Sequence, residues 1–587
     1  MKLLMHLKKL LKNLYFSLKR FPYTIAFSTA TTIILIILIN YKSSFNANTV
    51  DTLIKTAMTL ALGFPLSLSL SLLFERINDF KKITKIIILL GAGLLLSLYY
   101  FYLLNELNLL TSIRYIAVNI TLYLTALMIH YLYQRENFEL YIVHIASRAF
   151  VTAIYSVVLY LGSAATIFTL NKLLGLTVSP QIYNSTWFAV IGIFAPIFLL
   201  AGLPTYQQKL YTEDYPSFLK VLLLYIVMPL ISIYTIILYS YFIKLLLIWQ
   251  WPQGLVSHLV IWYSAISLAV IFAIAPLSKN NKWVKYFSFC FPKVILPLLI
   301  MMFFAIGIRI SEYGVTENRY FVVLLGCWLL GIMMYYNLID RKRNIMLPLS
   351  LALIIFLSVF GPWSSFAISI NSQNKRFEEL LYRNDMIKKE KVVKNKGSIN
   401  QNDKKEINAI ITYFKNNHSL EQLNYLPADF TIKNMDKFFG FSYQPHYRYN
   451  RDKYISLYID RYPIRISGYD YYFEIPNYYP KKNEENLKTN HPLTLIYNRD
   501  DFVLKINYNN KTLYQKSLSE DITDIYRKIK DKPKTKLAPN DYAFIDENKE
   551  VQIKIIVKRL SGRIDNINKN DVTINSVQLI VCINLKD

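Results

Sequence analysis

The segment EYGVTENRYF, residues 312–321, stands between two apolar runs, FPKVILPLLIMMFFAIGIRI and VVLLGCWLLGIMMYYNLI. Glu312, Glu317 and Arg319 lie in this one stretch with Arg309 just ahead of it, and His258 follows another conspicuous segment, WQWPQG, residues 249–254. A carboxylate and an imidazole can pass a proton, and a guanidinium can hold a phosphate or carboxylate through two parallel hydrogen bonds. Together these side chains form a candidate polar cluster for an anionic headgroup or substrate. A plainer reading pairs Glu317 with Arg319, or Arg309 with Glu312, to fix a loop, and gives His258 a single interfacial hydrogen bond. Trp249, Trp251, Tyr313, Tyr320 and Trp363 flank the same segments. Such rings suit the level of lipid headgroups, with an apolar body in lipid and a polar edge in water.

Other ionisable groups lie in or near apolar runs, where each is costly and therefore a candidate site. Lys244 and Lys293 can reach a membrane surface along their stems. His130, His144 and Arg148 could form one polar contact, or serve separately in packing. The chain has no GxxxxGK[ST], HExxH, GxSxG, paired CxxC or dinucleotide-binding glycine pattern. These absences disfavour a motor ATPase, a zincin and an α/β-hydrolase, and no cofactor or metal is implied. Cys290 and Cys327 lie in apolar segments, and Cys582 alone follows them, so no disulfide is expected in the polar tail.

The positions of these residues depend on elements set by composition. The chain is 53% hydrophobic, and runs of about 20 apolar residues, the length of a bilayer-crossing helix, recur up to about residue 370. The expected architecture is an all-α polytopic membrane bundle of about 11 transmembrane helices, near 22–39, 53–74, 86–104, 115–133, 149–170, 185–204, 217–248, 256–277, 286–308, 320–338 and 345–369. Pro229 is a candidate kink in the long seventh run. Residues 1–21 read as a basic amphipathic helix on the inner surface, ahead of an uncleaved signal anchor. With the N-terminus inside, the inner segments hold about 19 Lys and Arg and the outer loops about five. An odd number of spans then places everything after residue 370 outside. The net charge of +27 is explained by these loops and by a tail of mixed sign, so no nucleic-acid partner is expected.

Four segments carry a family likeness: LGFPLSLSLSLLFER (62–76), WQWPQGLVSHLV (249–260), YGVTENRYFVVLLGCWLLGI (313–332) and PLSLALIIFLSVFGPWSSF (348–366). In order and spacing they resemble an uncharacterised bacterial multispanning membrane family, the domain of unknown function numbered 4153, over most of residues 10–380. The resemblance implies an integral membrane protein and brings no established activity, cofactor or catalytic residue.

Beyond the bundle, residues 371–402 read as a juxtamembrane helix and linker, with Phe377, Leu380 and Leu381 on one face. Residues 403–587 read as a soluble α+β domain with an antiparallel sheet. Asp403 and Glu406 form a capping-box pattern ahead of the stripe Ile407, Ile410, Ile411 and Phe414. Later segments alternate with period two: KYISLYID, FVLKINYNNKTLYQKSL turning at Asn509 and Asn510, YAFIDENKEVQIKIIVKRL and TINSVQLIVCINL. SEDITDIYRKI is a helix capped by Ser519.

The function expected from this layout is an envelope scaffold or sensor in the bacterial cytoplasmic (inner) membrane. Its outer loops and tail would bind a protein, glycan or lipid partner. A transporter or lipid flippase is the alternative, and a membrane-embedded transferase at the outer interface the second.

Overall fold

Between residues 22 and 338 the described residues form helices long and apolar enough to traverse a bilayer. The structure, a computed structural model, describes Lys12 and residues 14–587 apart from 78, 133–136, 175–177, 207, 209, 249–254, 389–390, 394–398, 428, 444–452, 459–465, 476–483, 488–491, 499–500, 510, 530–540, 565–571 and 587. Trp249 and Trp251, Asn510, most of the expected N-terminal helix, and residues 389–390 and 394–398 of the expected 371–402 helix and linker lie outside the described residues. Ten helices of spanning length are described: α1 Pro22–Ser44, α2 Ala47–Arg76, α3 Lys82–Leu103, α4 Leu109–Tyr131, α5 Phe138–Leu174, α6 Gln181–Ala201, α7 Ser217–Ile248, α8 Val256–Leu277, α9 Lys282–Tyr313 and α10 Glu317–Leu338. The chain is an integral polytopic membrane protein. Its helices carry outward leucine and isoleucine such as Leu90, Leu94 and Leu247, a surface suited to lipid.

Proline shapes two of these helices. A proline removes one backbone donor and crowds the carbonyl four residues earlier. Just before Pro229 the helix α7 widens into a π-segment, Leu222–Val227, and just before Pro196 the helix α6 does the same at Val190–Phe194. The long seventh run is thus one helix with a local widening rather than two spans.

The last apolar run departs from expectation. It is not one helix over 345–369 but a shorter helix α11, Met346–Leu357, then a turn containing Gly361 at φ +83°, then α12, Ser365–Arg383. Twelve helical residues rise only about 18 Å. The chain nevertheless returns along α10. Tyr336 Oη donates to Asn344 Oδ1 at 2.7 Å near one end, and Tyr320 Oη donates to the Trp363 carbonyl at 2.8 Å near the other. From Tyr320 to Tyr336 α10 rises about 24 Å. Helix α11 and its turn together cover that height.

The first compact unit runs to Pro445, well past the change in composition near residue 371. It includes α12 and α13, Gln401–Asn417, a two-stranded ribbon β1 Ile387–Lys388 and β2 Lys391–Val392, and α14, Met435–Phe439. Phe377, Leu380 and Leu381 of α12 meet Ile407, Ile410, Ile411 and Phe414 of α13 in a core separate from that of the bundle. Both apolar stripes fall where the sequence places them. The cap of α13 does not: Asn400 accepts from the Asn402 amide, and Asp403 lies inside the first turn, facing Asn384 and Arg383.

The second unit, His446–Asp587, is antiparallel β-structure. One sheet has the order β3 Lys453–Tyr458, β10 Val551–Ile564, β11 Val572–Leu585, β4 Tyr471–Ile475, with β9 Ala543–Glu547 also paired to β10. The other is β5 Glu484–Leu487, β6 Leu493–Asn498, β7 Val503–Tyr508, β8 Lys511–Ser517. Both sheets and α15, Ser519–Ile529, share one core, in which Leu495, Ile506, Ile522, Ile555 and Val581 are buried. Asn509 supplies the left-handed turn residue between β7 and β8, at φ +47°.

Candidate functional site

The connection between α9 and α10 is three residues long and must reverse the chain. Gly314 does so at φ +66° and ψ 178°, a conformation essentially restricted to glycine. Such a tight turn leaves carbonyls without helical partners. Three side chains satisfy them. Gln373 Nε2 donates to the carbonyls of Tyr313 and Val315, at 3.0 and 2.9 Å. Arg319 Nη1 donates to those of Tyr313 and Gly314, at 3.0 and 2.5 Å. Arg376 Nη1 reaches Tyr313 at 3.4 Å. The Val315 amide in turn donates to Ser372 Oγ at 2.8 Å. The Arg319 and Arg376 guanidiniums each lie 5.6 Å from the Tyr313 ring centre. The consecutive residues Ser372, Gln373 and Asn374 of α12 thus face polar backbone: Asn374 bonds the Gln422 carbonyl and the Asn424 amide.

Glu317 is the first residue of α10 and is buried. A carboxylate there faces the positive end of the helix dipole. Its Oε1 accepts from Tyr413 Oη at 2.6 Å and lies 2.7 Å from His418 Nε2. Tyr413 lies near the C-terminal end of α13 and His418 closes that helix as its C-cap. The tyrosine hydroxyl and the imidazole are also 2.9 Å apart. His418 Nδ1 is buried without a hydrogen-bond partner among the described residues. This assigns the ring hydrogen to Nε2, where the carboxylate accepts it; a hydrogen on Nδ1 would have no acceptor. Burial and the Glu317 hydrogen bond push the Tyr413 phenol well above its ordinary range.

The expected cluster is therefore only partly assembled. Glu317 and Arg319 do not pair with each other; Glu317 faces Tyr413 and His418, and Arg319 caps carbonyls. Arg309 and Glu312 form no pair either. Arg309 lies close enough to Arg319 to repel it, and Glu312 is exposed on the rim of a cleft. His258 is half-buried on α8, with no bond to the others. Tyr313 and Trp363 are exposed, and Tyr320 bonds the Trp363 carbonyl.

The cleft has a volume of about 300 Å³ and opens where α9 ends, between Ile310–Gly314 and the face of α12 carrying Ser372, Lys375, Arg376, Glu379 and Arg383. Arg376 pairs with Glu406 at 2.8 Å and Arg383 with Asp403 at 3.5 Å.

A separate polar set sits near the other end of the bundle. Arg20 grips Glu75 through two nitrogens, at 2.8 to 3.0 Å, and donates to the carbonyls of Leu203 and Pro204. His130 is buried between the rings of Tyr141 and Tyr206, and its Nε2, His144 Nε2 and Arg148 Nε have no hydrogen-bond partner among the described residues. Arg148 lies over the Phe198 ring at 4.8 Å. Lys293 folds over Phe289 at 3.5 Å, and Lys244 is exposed. Among the described residues no group of three His, Cys, Asp or Glu side chains has metal-binding geometry.

Tyr413, His418, Gln373 and Arg376 escaped the sequence reading. One signal was available: SQN interrupts an amphipathic helix beside its apolar stripe, where short amides point to buried backbone rather than water.

This arrangement defines a polytopic membrane protein whose α12–α13 layer is hydrogen-bonded to a helix of spanning length. The chain matches the family described as Domain of unknown function (DUF4153) over residues 30–379, and it belongs to that family. It is also similar to the uncharacterized protein PM1469 of Pasteurella multocida, 26% identical over 225 residues, 38% of this chain and 37% of that protein. The match thus spans well under half the length of that relative. No solved structure matches the chain significantly.

Proposed function

We propose that the protein is a scaffold or sensor of the bacterial cytoplasmic membrane, with its N-terminus inside. The α12–α13 layer and the β-domain would then lie outside, available to an envelope protein, glycan or lipid partner. One observation carries this reading: Glu317, at the start of a span, is bonded to Tyr413 and His418 of an extramembrane helix. Any force or ligand acting on α13 therefore bears directly on α10. The concentration of Lys and Arg in alternate loops supports the orientation, and the return of α11 along α10, counted as an eleventh passage, would carry the chain to the opposite side.

Two measurements test it. Alkaline phosphatase fused after Ile370 should be active, and a fusion after Lys342 inactive; the reverse pattern overturns the orientation. A chain lacking residues 446–587 should insert normally yet fail to complement a deletion strain. Full complementation would remove the β-domain from the proposed role.

A further inference from the structure

The cleft at the end of α9 has a charge pattern that selects a ligand class. Its lining carries three cations, Lys375, Arg376 and Arg383, and three carboxylates, Glu312, Glu379 and Glu406, so it is neutral overall and strongly dipolar. The ion pair with Glu406 engages Arg376, and Asp403 partly engages Arg383. Lys375, Glu312 and Glu379 have no hydrogen-bond or ion-pair partner among the described residues, and Lys375, Glu312 and Glu379 are exposed. A simple anion would meet two free carboxylates here, and a metal cation would meet three basic side chains. A zwitterion meets neither conflict.

The position narrows the class further. Ile310 and Ser311 of the lining belong to the last turn of a spanning helix, and exposed Tyr313 and Trp363 mark the headgroup level beside them. We propose that this cleft binds a phosphate ester bearing a primary ammonium, the phosphoethanolamine group, with Lys375 and Arg383 facing the phosphate and Glu312 and Glu379 the ammonium. A primary ammonium donates hydrogen bonds that carboxylates accept, whereas a trimethylated one has none to give. The cleft should therefore separate ethanolamine from choline headgroups. The volume of about 300 Å³ accommodates such a group. The group could arrive as a lipid headgroup or as the free soluble ester. The inference rests on the membrane-scaffold reading only for the depth of the cleft, not for the side on which it opens.

The test uses the delipidated full-length chain in detergent and native mass spectrometry with short-chain phosphatidylethanolamine, phosphatidylcholine and phosphatidylglycerol. The ethanolamine lipid should bind roughly tenfold more tightly than either other, the scale of one charge-assisted hydrogen bond. Glu312→Gln with Glu379→Gln should abolish its advantage over the choline lipid, and Lys375→Gln should weaken binding of the phosphodiesters together. These side chains are exposed, so the unfolding temperature of each variant should match the parent. Soluble phosphoethanolamine that competes at equal concentration would identify the free ester as the source; competition only by the lipid would identify the bilayer. Equal binding of the three lipids, or a preference that survives the double glutamine variant, overturns the proposal. The fusion results above stand or fall separately from these.

Discussion

Replacing Tyr413 by Phe deletes one hydroxyl and leaves the ring where it is, against Phe414 and His418 with centres 5.4 and 5.2 Å away. What is lost is a 2.6 Å hydrogen bond to a buried carboxylate. Hydrogen bonds to charged groups contribute about 1.5–3 kcal/mol, so the docking of α13 onto α10 should weaken by about 2 kcal/mol. At 1.4 kcal/mol per factor of ten, the open population of α13 rises about 30-fold. Amide hydrogen exchange of residues 401–417 in the intact chain reads that population directly. Exchange there should accelerate by about that factor in Tyr413→Phe, while the strands β10 and β11 stay unchanged. Glu317→Gln weakens the same bond from its other end by removing the charge. The double variant should then fall short of the sum of the single effects, because both delete one interaction. Unchanged exchange in Tyr413→Phe, or full additivity in the double variant, would refute the idea that this bond holds the layer to the span.

Four further outcomes follow from the same geometry. The Tyr413 phenol is raised in the folded state, so its contribution is complete below pH 10 and is lost as pH rises above that value; alkaline unfolding should show this component in the parent and not in Tyr413→Phe. Gly314→Ala forces a side chain into a glycine-only conformation and places Cβ 2.8 Å from Gln373 Nε2, so a loss of about 1–3 kcal/mol and faster exchange in α12 are expected. Phe377→Ala empties the centre of the α12–α13 core and should cost about 3–5 kcal/mol, read as lost protection in both helices with the β-domain unaffected. Gly192→Ala drives a methyl to 1.8 Å from Thr32 Oγ1, a side chain already bonded back to the Ser28 carbonyl; separation of α1 from α6 should appear as lowered thermal stability in detergent.

Helices and strands were readable because hydrophobic period and run length act locally. The stripes of α12 and α13, the hairpin through Asn509 and the span of α15 fall where the pattern places them, but Ser519 is the first residue of α15 and not its cap: the Leu518 carbonyl accepts the first helical bond, from the Ile522 amide. Gly361 and Pro362 make a sharp turn cheap, and the last apolar run breaks there, short of the residue 369 to which its hydrophobicity extends it. The cap of α13 was misplaced by three residues because Asp403 has the right type for a cap, but two other bonds, to Asn384 and Arg383, hold it elsewhere. The partners of Glu317 could not be read at all. They lie 96 and 101 residues further along the chain, and no local rule connects a helix-initiating carboxylate to a distant helix C-cap.

That long-range contact changes what the charged stretch between α9 and α10 can do. The Oε1 atom of Glu317 is covered by Tyr413 and His418, and Arg319 is turned back onto the carbonyls of its own turn. Both residues stabilise a reversal that places α12 over the end of α9. Exposed charge lining the cleft then falls to Glu312, Lys375, Glu379 and Arg383, which come from two elements brought together by that reversal. Recognition at this site therefore depends on residues that make no contact with Glu317, yet Glu317→Gln should still loosen it by freeing the helix layer that carries Lys375 and Glu379. Lipid or ester binding that fell with Glu317→Gln, and recovered when α13 was tethered to α10 by an engineered disulfide, would separate this positioning role from direct contact.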